Sequence, residues 1–501
     1  MRCGRNDRTG KLNPPKHGVR MFIGVEGFGP HKWPSLERTR AFYRRALSAE
    51  FELKPVDTAA GLQHGAFDAV VAFVGTHVWN VDPHPDYPIL FAMHGGAILD
   101  REFLNDHLSH LRTSDVLIVN CTSDITILRR FFGDRCPGFC HLPLPVDTTL
   151  FHVRDRRECR AALDIENADY VVGFVGRLLP QRNLHQFLRM VAELKQRLSP
   201  KRVMGVVVGN YWVDYPVLNY DTPNYQPYIG NLLRELNLTN DIAYFRASLS
   251  DEDLALCYGA MDCLIHPTNS IDENFGYVPI EAMAFGVPVL AAAYGGVKDT
   301  VVHGETGYLM DTWTTASGIR MDLISGIDNA TRLLLDTSLR QEMGKAGLER
   351  IREGYVYDAC AAKLVEALKE AVARHRAGES QPVAAVRFDS VPPDAGLLPS
   401  IERPWEYYRN VVSDYVSCAP PVPFAESRLR VAAPLSADGS GSYRLDDPAW
   451  PATFRLSPHE FDLVQRCRAV ATTVEVEQET HDREVIGHLI NRGLLLCSNQ
   501  R

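Results

Sequence analysis

Two carboxylates, Glu273 and Glu281, stand eight positions apart in the stretch ENFGYVPIEAM, with a Phe275-Gly276 pair just after the first. Apolar residues at helical spacing surround the second. The expected local structure is a loop that turns at Gly276 into a helix, with Glu281 about one to one and a half turns inside it. A helix start presents backbone N–H groups without intrahelical partners and so suits an anion. Carboxylates beside it accept hydrogen bonds from hydroxyls instead. A diphosphate flanked by a ribose diol and a sugar would satisfy the whole set. Upstream, GFVGRLLPQRNL places Arg177 and Arg182 after a strand that ends in Gly176. Two arginines there can clamp a diphosphate by charge-assisted hydrogen bonds. Taken singly, each residue also reads as an ordinary solvated charge; the combination carries the chemistry.

Elements of an α/β protein must position these groups. Short apolar runs at 21–27, 68–75, 88–95, 115–121 and 139–147 alternate with helix-length stretches such as 36–50 and 99–113. The pattern restarts after about residue 150, with strands expected at 170–176, 202–210, 242–247, 262–267 and 287–293. Helices are expected there at 183–197, 230–236, 251–260 and 278–285. Two Rossmann-like halves facing a cleft follow, with ligands beyond the carboxyl ends of the strands. A Tyr-, Pro- and Asn-rich insertion, 211–230, interrupts the second half. In the first half, FAMHGG sets His94 at a strand end, where it can hydrogen-bond a ligand hydroxyl or assist proton transfer. Gly27 and Gly29 form a glycine loop after the first strand. His31, His77 and Trp79 are further contacts to weigh on that side.

The chain has 501 residues, 45% hydrophobic and 23% charged, with a net charge of −9. That balance fits a globular protein and lacks the basic footprint of a nucleic-acid binder. No run of 18 apolar residues occurs, so no transmembrane segment is expected. Residues 1–20 are basic and polar, without the apolar core of a secretory signal, and read as a disordered arm. The expected compartment is the cytoplasm. The 11 cysteines are scattered and read as reduced thiols; no metal-ligand set stands out. The expected domains are 21–150, 151–375, a linker with a short helix at 376–440, and a small α+β module at 441–501. Its Ser457-Pro458 pair opens a helix, and Val485, Ile486, Leu489 and Ile490 mark the apolar face of another.

The stretch 170–316 resembles retaining glycosyltransferases of the GT-B fold, in particular family 4. The match rests on Glu273 and Glu281 separated by seven residues, on GVPV and Gly295-Gly296, and on GRLLPQRN, where Arg182 and Asn183 replace a usual lysine and glycine. The resemblance implies two Rossmann-like domains and a nucleotide-sugar donor, UDP- or GDP-linked, with no other cofactor and no metal. It implies that Glu281 binds ribose, that Glu273 binds donor-sugar hydroxyls, and that the amides of Phe275, Gly276, Tyr277 and Val278 face the donor. Gly176, Arg177 and Arg182 would border the diphosphate. The segment around Phe245, Arg246 and Ala247 would lie along the base, and His94 near the reacting carbon. Residues 441–501 resemble winged-helix peptide-recognition modules of PQQ-biosynthesis type, which implies a small-molecule or peptide acceptor and a possible peptide or protein contact. A degenerate GT-B scaffold acting as a binding subunit, or a sugar phosphorylase or nucleotide-sugar hydrolase, stays open as an alternative.

Overall fold

A computed structural model describes residues 20–29, 34–56, 61–62, 66–73, 75–82, 85–97, 107–211, 222–245, 249–384, 405, 409, 412–424, 426–437, 439, 441–467 and 480–499. The 1–19 arm, His31, Arg246 and Ala247 lie outside them, as does most of the expected 99–113 helix.

The first domain carries six parallel strands: β1 (Phe22–Glu26), β2 (Glu52–Pro55), β3 (Ala69–Phe73), β4 (Ile89–Ala92), β5 (Val116–Val119) and β6 (Gly138–His141). Their order is β2-β1-β3-β4-β5-β6. β3 and β4 are buried at every position, as a strand covered on both faces must be. β2, with the sequence ELKP, is the exposed edge and has no apolar run, so periodicity does not reveal it.

The second domain repeats the plan with β7 (Tyr170–Val175), β8 (Val203–Val208), β9 (Ile242–Phe245), β10 (Cys263–His266), β11 (Val289–Ala292) and β12 (Gly307–Met310), in the order β12-β11-β10-β7-β8-β9. Strand order reverses between β7 and β10, and a crevice for ligands opens where their C-terminal ends diverge. The loops after these two strands carry Arg177 and Arg182, and Asp272 and Glu273. This is the GT-B arrangement.

Three boundaries differ from the sequence expectation. Helix Tyr357–Arg376 does not stay with the second domain: it packs on helix Pro34–Glu50 of the first, with Lys369 2.8 Å from Glu50 and Arg376 paired to Asp68. The 376–440 stretch is not all linker. Val412, Tyr415 and Val416 are buried between the domains, and strands Arg428–Val431 and Leu435–Ala437 belong to the last module. The core of that module joins Leu429 and Val431 to Leu445, Phe454, Ile486, Leu489 and Leu495, so it begins near 427 rather than 441. Of the insertion, residues 222–230 belong to helix Thr222–Glu235, whose Tyr225 is buried.

The module has a three-stranded antiparallel sheet, a strand pair Arg428–Val431 with Leu495–Ser498, and helices Pro458–Arg466 and Thr480–Arg492. A capping box on Ser457 and Glu460 starts the first helix. It sits directly on the second domain. Asp447 is 3.2 Å from His185, Arg430 is 2.6 Å from Glu193, and Arg320 Nε donates to Gly493 O at 2.8 Å. Hairpin Thr312–Met321 provides much of the seat, and Gly318 is required there because a Cβ would strike the Trp450 ring. No helix among the described residues is long and apolar enough to cross a membrane.

Candidate functional site

Helix Tyr277–Ala284 starts at Gly276, which takes φ +80°, a left-handed value that favours glycine. A Cβ there would also stand 3.2 Å from Glu273 Oε1. Pro279 falls in the first helical turn, where no N–H is needed. The N–H groups of Phe275 and Gly276 meet no acceptor among the described residues, as is usual just before a helix start. Phe275 is buried, whereas Tyr277 and Val278 are partly exposed.

Glu273 and Glu281 are both nearly buried, and they have different partners. Arg182 pairs with Glu273 and stands 3.6 Å from Asp272; Arg177 stands 3.3 Å from Asp272. Glu281 accepts from the Tyr258 hydroxyl at 2.7 Å through Oε2 and meets Arg38 at 2.6 Å through Oε1. Burial and the adjacent Glu281 charge push the Tyr258 phenol far up, so it stays protonated and donates. Sequence reasoning did not find Arg38, Asp272 or Tyr258. Nothing in the spacing around Arg38 sets it apart from the other arginines of its helix.

The second-domain loops are braced around this pair. Asn183 has φ +60°, which explains why it can replace a glycine, and its Nδ2 donates to Pro267 O at 2.8 Å and Asn269 Oδ1 at 2.9 Å. Gly295 and Gly296 press against the backbone of Glu273 and Asn274, where Cβ atoms would collide; Gly296 N donates to Glu273 O at 3.1 Å. The glycine pair thus positions the glutamate loop. Gly176 takes φ +149° at the end of β7, with open space beside it. His266, at the end of β10, is lowered to about 3 by burial and by the charge of Arg182, and is neutral.

On the facing domain, His94 follows β4 and is buried. Asn120 Nδ2 donates to Leu142 O at 2.9 Å, which turns Asn120 Oδ1 toward His94 Nδ1 at 2.8 Å. Nδ1 therefore carries the proton and Nε2 the lone pair, and Nε2 has no partner among the described residues. Burial lowers its pKa to about 4, partly offset by the Asn120 bond. At neutral pH His94 is a hydrogen-bond acceptor rather than an acid. Trp79 is in the core, 1% exposed, and is not a surface contact. Gly27 takes φ +74° against Phe73 O. Glu26 receives the His77 N–H at 2.8 Å and the Val78 N–H at 3.0 Å, a structural cap. Arg246 lies outside the described residues.

The domain that holds this geometry has a sequence signature as well. Residues 155–350 match the family model of glycosyl transferases group 1. Curated proteins similar to the chain include a D-inositol 3-phosphate glycosyltransferase of Corynebacterium diphtheriae, 31% identical over 256 residues, which are 50% of this chain and 55% of the relative. Another of the same name from Rhodococcus erythropolis is 29% identical over 53% of this chain and 56% of the relative. The chain thus spans about half the length of these curated relatives. Solved structures share the fold at low identity. A sucrose-phosphate synthase from Thermosynechococcus elongatus aligns with TM-score 0.53 and 17% identity, over 71% of this chain and 100% of its own. The Anabaena protein HepE, in complex with UDP and glucose, aligns with TM-score 0.51 and 17% identity, over 70% of this chain and 100% of its own.

Proposed function

We propose that the protein is a retaining glycosyltransferase of family 4 type that moves a sugar from a UDP- or GDP-linked donor to a hydroxyl acceptor. The convergence of Arg177, Arg182 and Glu273 at the β7/β10 crevice carries this reading, inside a stretch matching glycosyl transferases group 1. Similar folds crystallised with UDP or UDP-glucose support the donor class.

In this reading the bond from the anomeric carbon to the diphosphate oxygen breaks, and its electron pair leaves with the nucleotide. The acceptor oxygen attacks from the same face, and its proton passes to the departing phosphate oxygen. Arg177, Arg182 and the Phe275 and Gly276 amides stabilise the charge that gathers on the diphosphate. Side chains and amides supply this neutralisation, so the reaction is read as metal-independent. Glu273 and His94 Nε2 accept hydrogen bonds from sugar hydroxyls, and Glu281 accepts from ribose.

The acceptor is read as a small molecule or a peptide, with the 427–499 module as a peptide contact of winged-helix type. Support for the module is its order of three antiparallel strands followed by two helices. The reading places the protein in the cytoplasm.

Incubation with a panel of UDP- and GDP-sugars tests the proposal. Nucleotide release that survives a chelator, is lost in Glu281→Ala and Arg182→Ala, and yields a product of retained anomeric configuration by NMR is expected. Absence of nucleotide binding and release in the unmodified protein would overturn it.

A further inference from the structure

One cation of the first domain covers a buried carboxylate of the second. Arg38 lies on helix Pro34–Glu50, and its Nη1 is 2.6 Å from Glu281 Oε1. Tyr258 holds the other oxygen. The Glu281 side chain is only 5% exposed, whereas that of Arg38 is 43% exposed. Arg38 thus forms the solvent side of the pair, and a hydroxyl entering from the cleft meets the guanidinium before the carboxylate.

The two partners of Glu281 are unequal. Tyr258 is wholly buried and cannot leave without opening the core. Arg38 is long and half in water, so it can be exchanged at low cost. Its guanidinium also stands 5.4 Å from the ring centroid of Tyr277, the first residue of the helix whose preceding amides are open. Neighbouring Thr39 anchors the same helix start, its Oγ1 2.9 Å from the Tyr277 hydroxyl. A guanidinium released from Glu281 therefore remains beside the proposed diphosphate site.

Building on the reading of Glu281 as the ribose acceptor, we propose that Arg38 holds the place of a ribose hydroxyl in the donor-free protein. Donor binding exchanges the Arg38–Glu281 pair for a ribose–Glu281 pair and transfers Arg38 to the diphosphate. Arg38 is then the first domain's contribution to nucleotide recognition, selecting diphosphates over bare nucleosides.

The exchange predicts opposite signs for two ligands. In Arg38→Met, uridine or guanosine no longer has to displace a cation and should bind about tenfold more tightly. UDP or GDP loses its cation and should bind more weakly, by a factor of about ten. Arg38→Lys, which keeps a point charge, should recover most of the diphosphate affinity. Binding is measured by titration calorimetry for the diphosphates and by ligand-observed NMR for the nucleosides, on the full chain, after thermal melting of each variant. If both ligands shift in the same direction, or neither shifts, the exchange is wrong. If the unmodified protein binds UDP or GDP and Glu281→Gln abolishes it, that failure belongs to Arg38 alone. If the unmodified protein binds no nucleotide, the role of Glu281 falls and the exchange with it.

Discussion

The hydroxyl of Tyr415 donates to Oδ1 of Asp124, the same oxygen that accepts the backbone N–H of Ala97 at 2.7 Å. Tyr415 belongs to the tail and Asp124 to the first domain, and both are completely buried. The Tyr415 backbone carbonyl meanwhile accepts the N–H of Gly295 in the second domain at 2.9 Å. One residue of a presumed linker therefore joins the glycine loop after His94 to the glycine pair behind Glu273.

Removing that hydroxyl should be costly and pH-dependent. Burial raises the Asp124 pKa to about 6, against the lowering effect of the Tyr415 bond. A carboxyl raised in the native state contributes most below its unfolded pKa, and the contribution fades as pH rises through the native value. Tyr415→Phe raises that native value further. It should destabilise the protein by about 1–3 kcal/mol, more at pH 8 than at pH 5. Denaturant midpoints at the two pH values measure this; equal losses would contradict it.

His94 gives the opposite slope. Its pKa is lowered from 6.5 to about 4 by burial, so the unfolded chain takes up a proton first as pH falls. The contribution is complete above pH 6.5 and is lost between there and pH 4, up to about 3 kcal/mol. His94→Gln should flatten the stability profile in that window relative to the unmodified protein. In transfer assays at pH 7.5 the same variant should lower turnover more than nucleotide affinity, since His94 is assigned to the sugar.

Asn183 isolates backbone from side chain. Asn183→Gly keeps the left-handed turn and loses two hydrogen bonds; Asn183→Ala loses both and adds strain. The alanine variant should be less stable than the glycine variant by about 1 kcal/mol, read by chemical denaturation. Because Asn183 follows Arg182, both should weaken nucleotide binding.

The docking of the last module depends on Asp447. It accepts from the Ala449 and Trp450 N–H groups at 3.0 and 3.2 Å and lies 3.2 Å from His185. Burial opposes its ionisation, but His185 and the nearby Arg320 and Arg189 hold its pKa below the usual carboxylate range. Asp447→Ala leaves Arg320 buried without that charge and should cost about 3–5 kcal/mol. Limited proteolysis should then cut near the module at lower protease concentration.

What could be read from the sequence follows how local its cause is. Inner strands such as β3, β4, β8 and β10 announce themselves because burial on two faces demands continuous apolar runs, whereas the edge strands ELKP and β12 (Gly307–Met310) fall outside the expected strands. Glu273, Glu281, Arg177 and Arg182 share one short loop–helix unit or one βα turn, so spacing revealed them. Arg38 and Tyr415 act across separations of 243 and 291 residues, and only the assembled chain brings them to Glu281 and Asp124. Helix Tyr357–Arg376 reads as a normal amphipathic helix; which domain it covers is a matter of tertiary packing.

The chain crosses between domains beside Val146 and returns beside Tyr355, and Val146 N donates to Tyr355 O at 2.9 Å. This crossing is the spine of a bound book, whose covers also meet through Arg38–Glu281, Thr39–Tyr277 and Thr122–Asp299. The tail adds a further fastening: Asp414 and Tyr415 reach Arg130 and Asp124 on one cover, while the carbonyls of Asp414 and Val416 take Lys298 of the other at 2.9 and 3.0 Å. Opening about the spine must then unfasten the tail as well as these cleft contacts, so the tail narrows the movements left to the cleft.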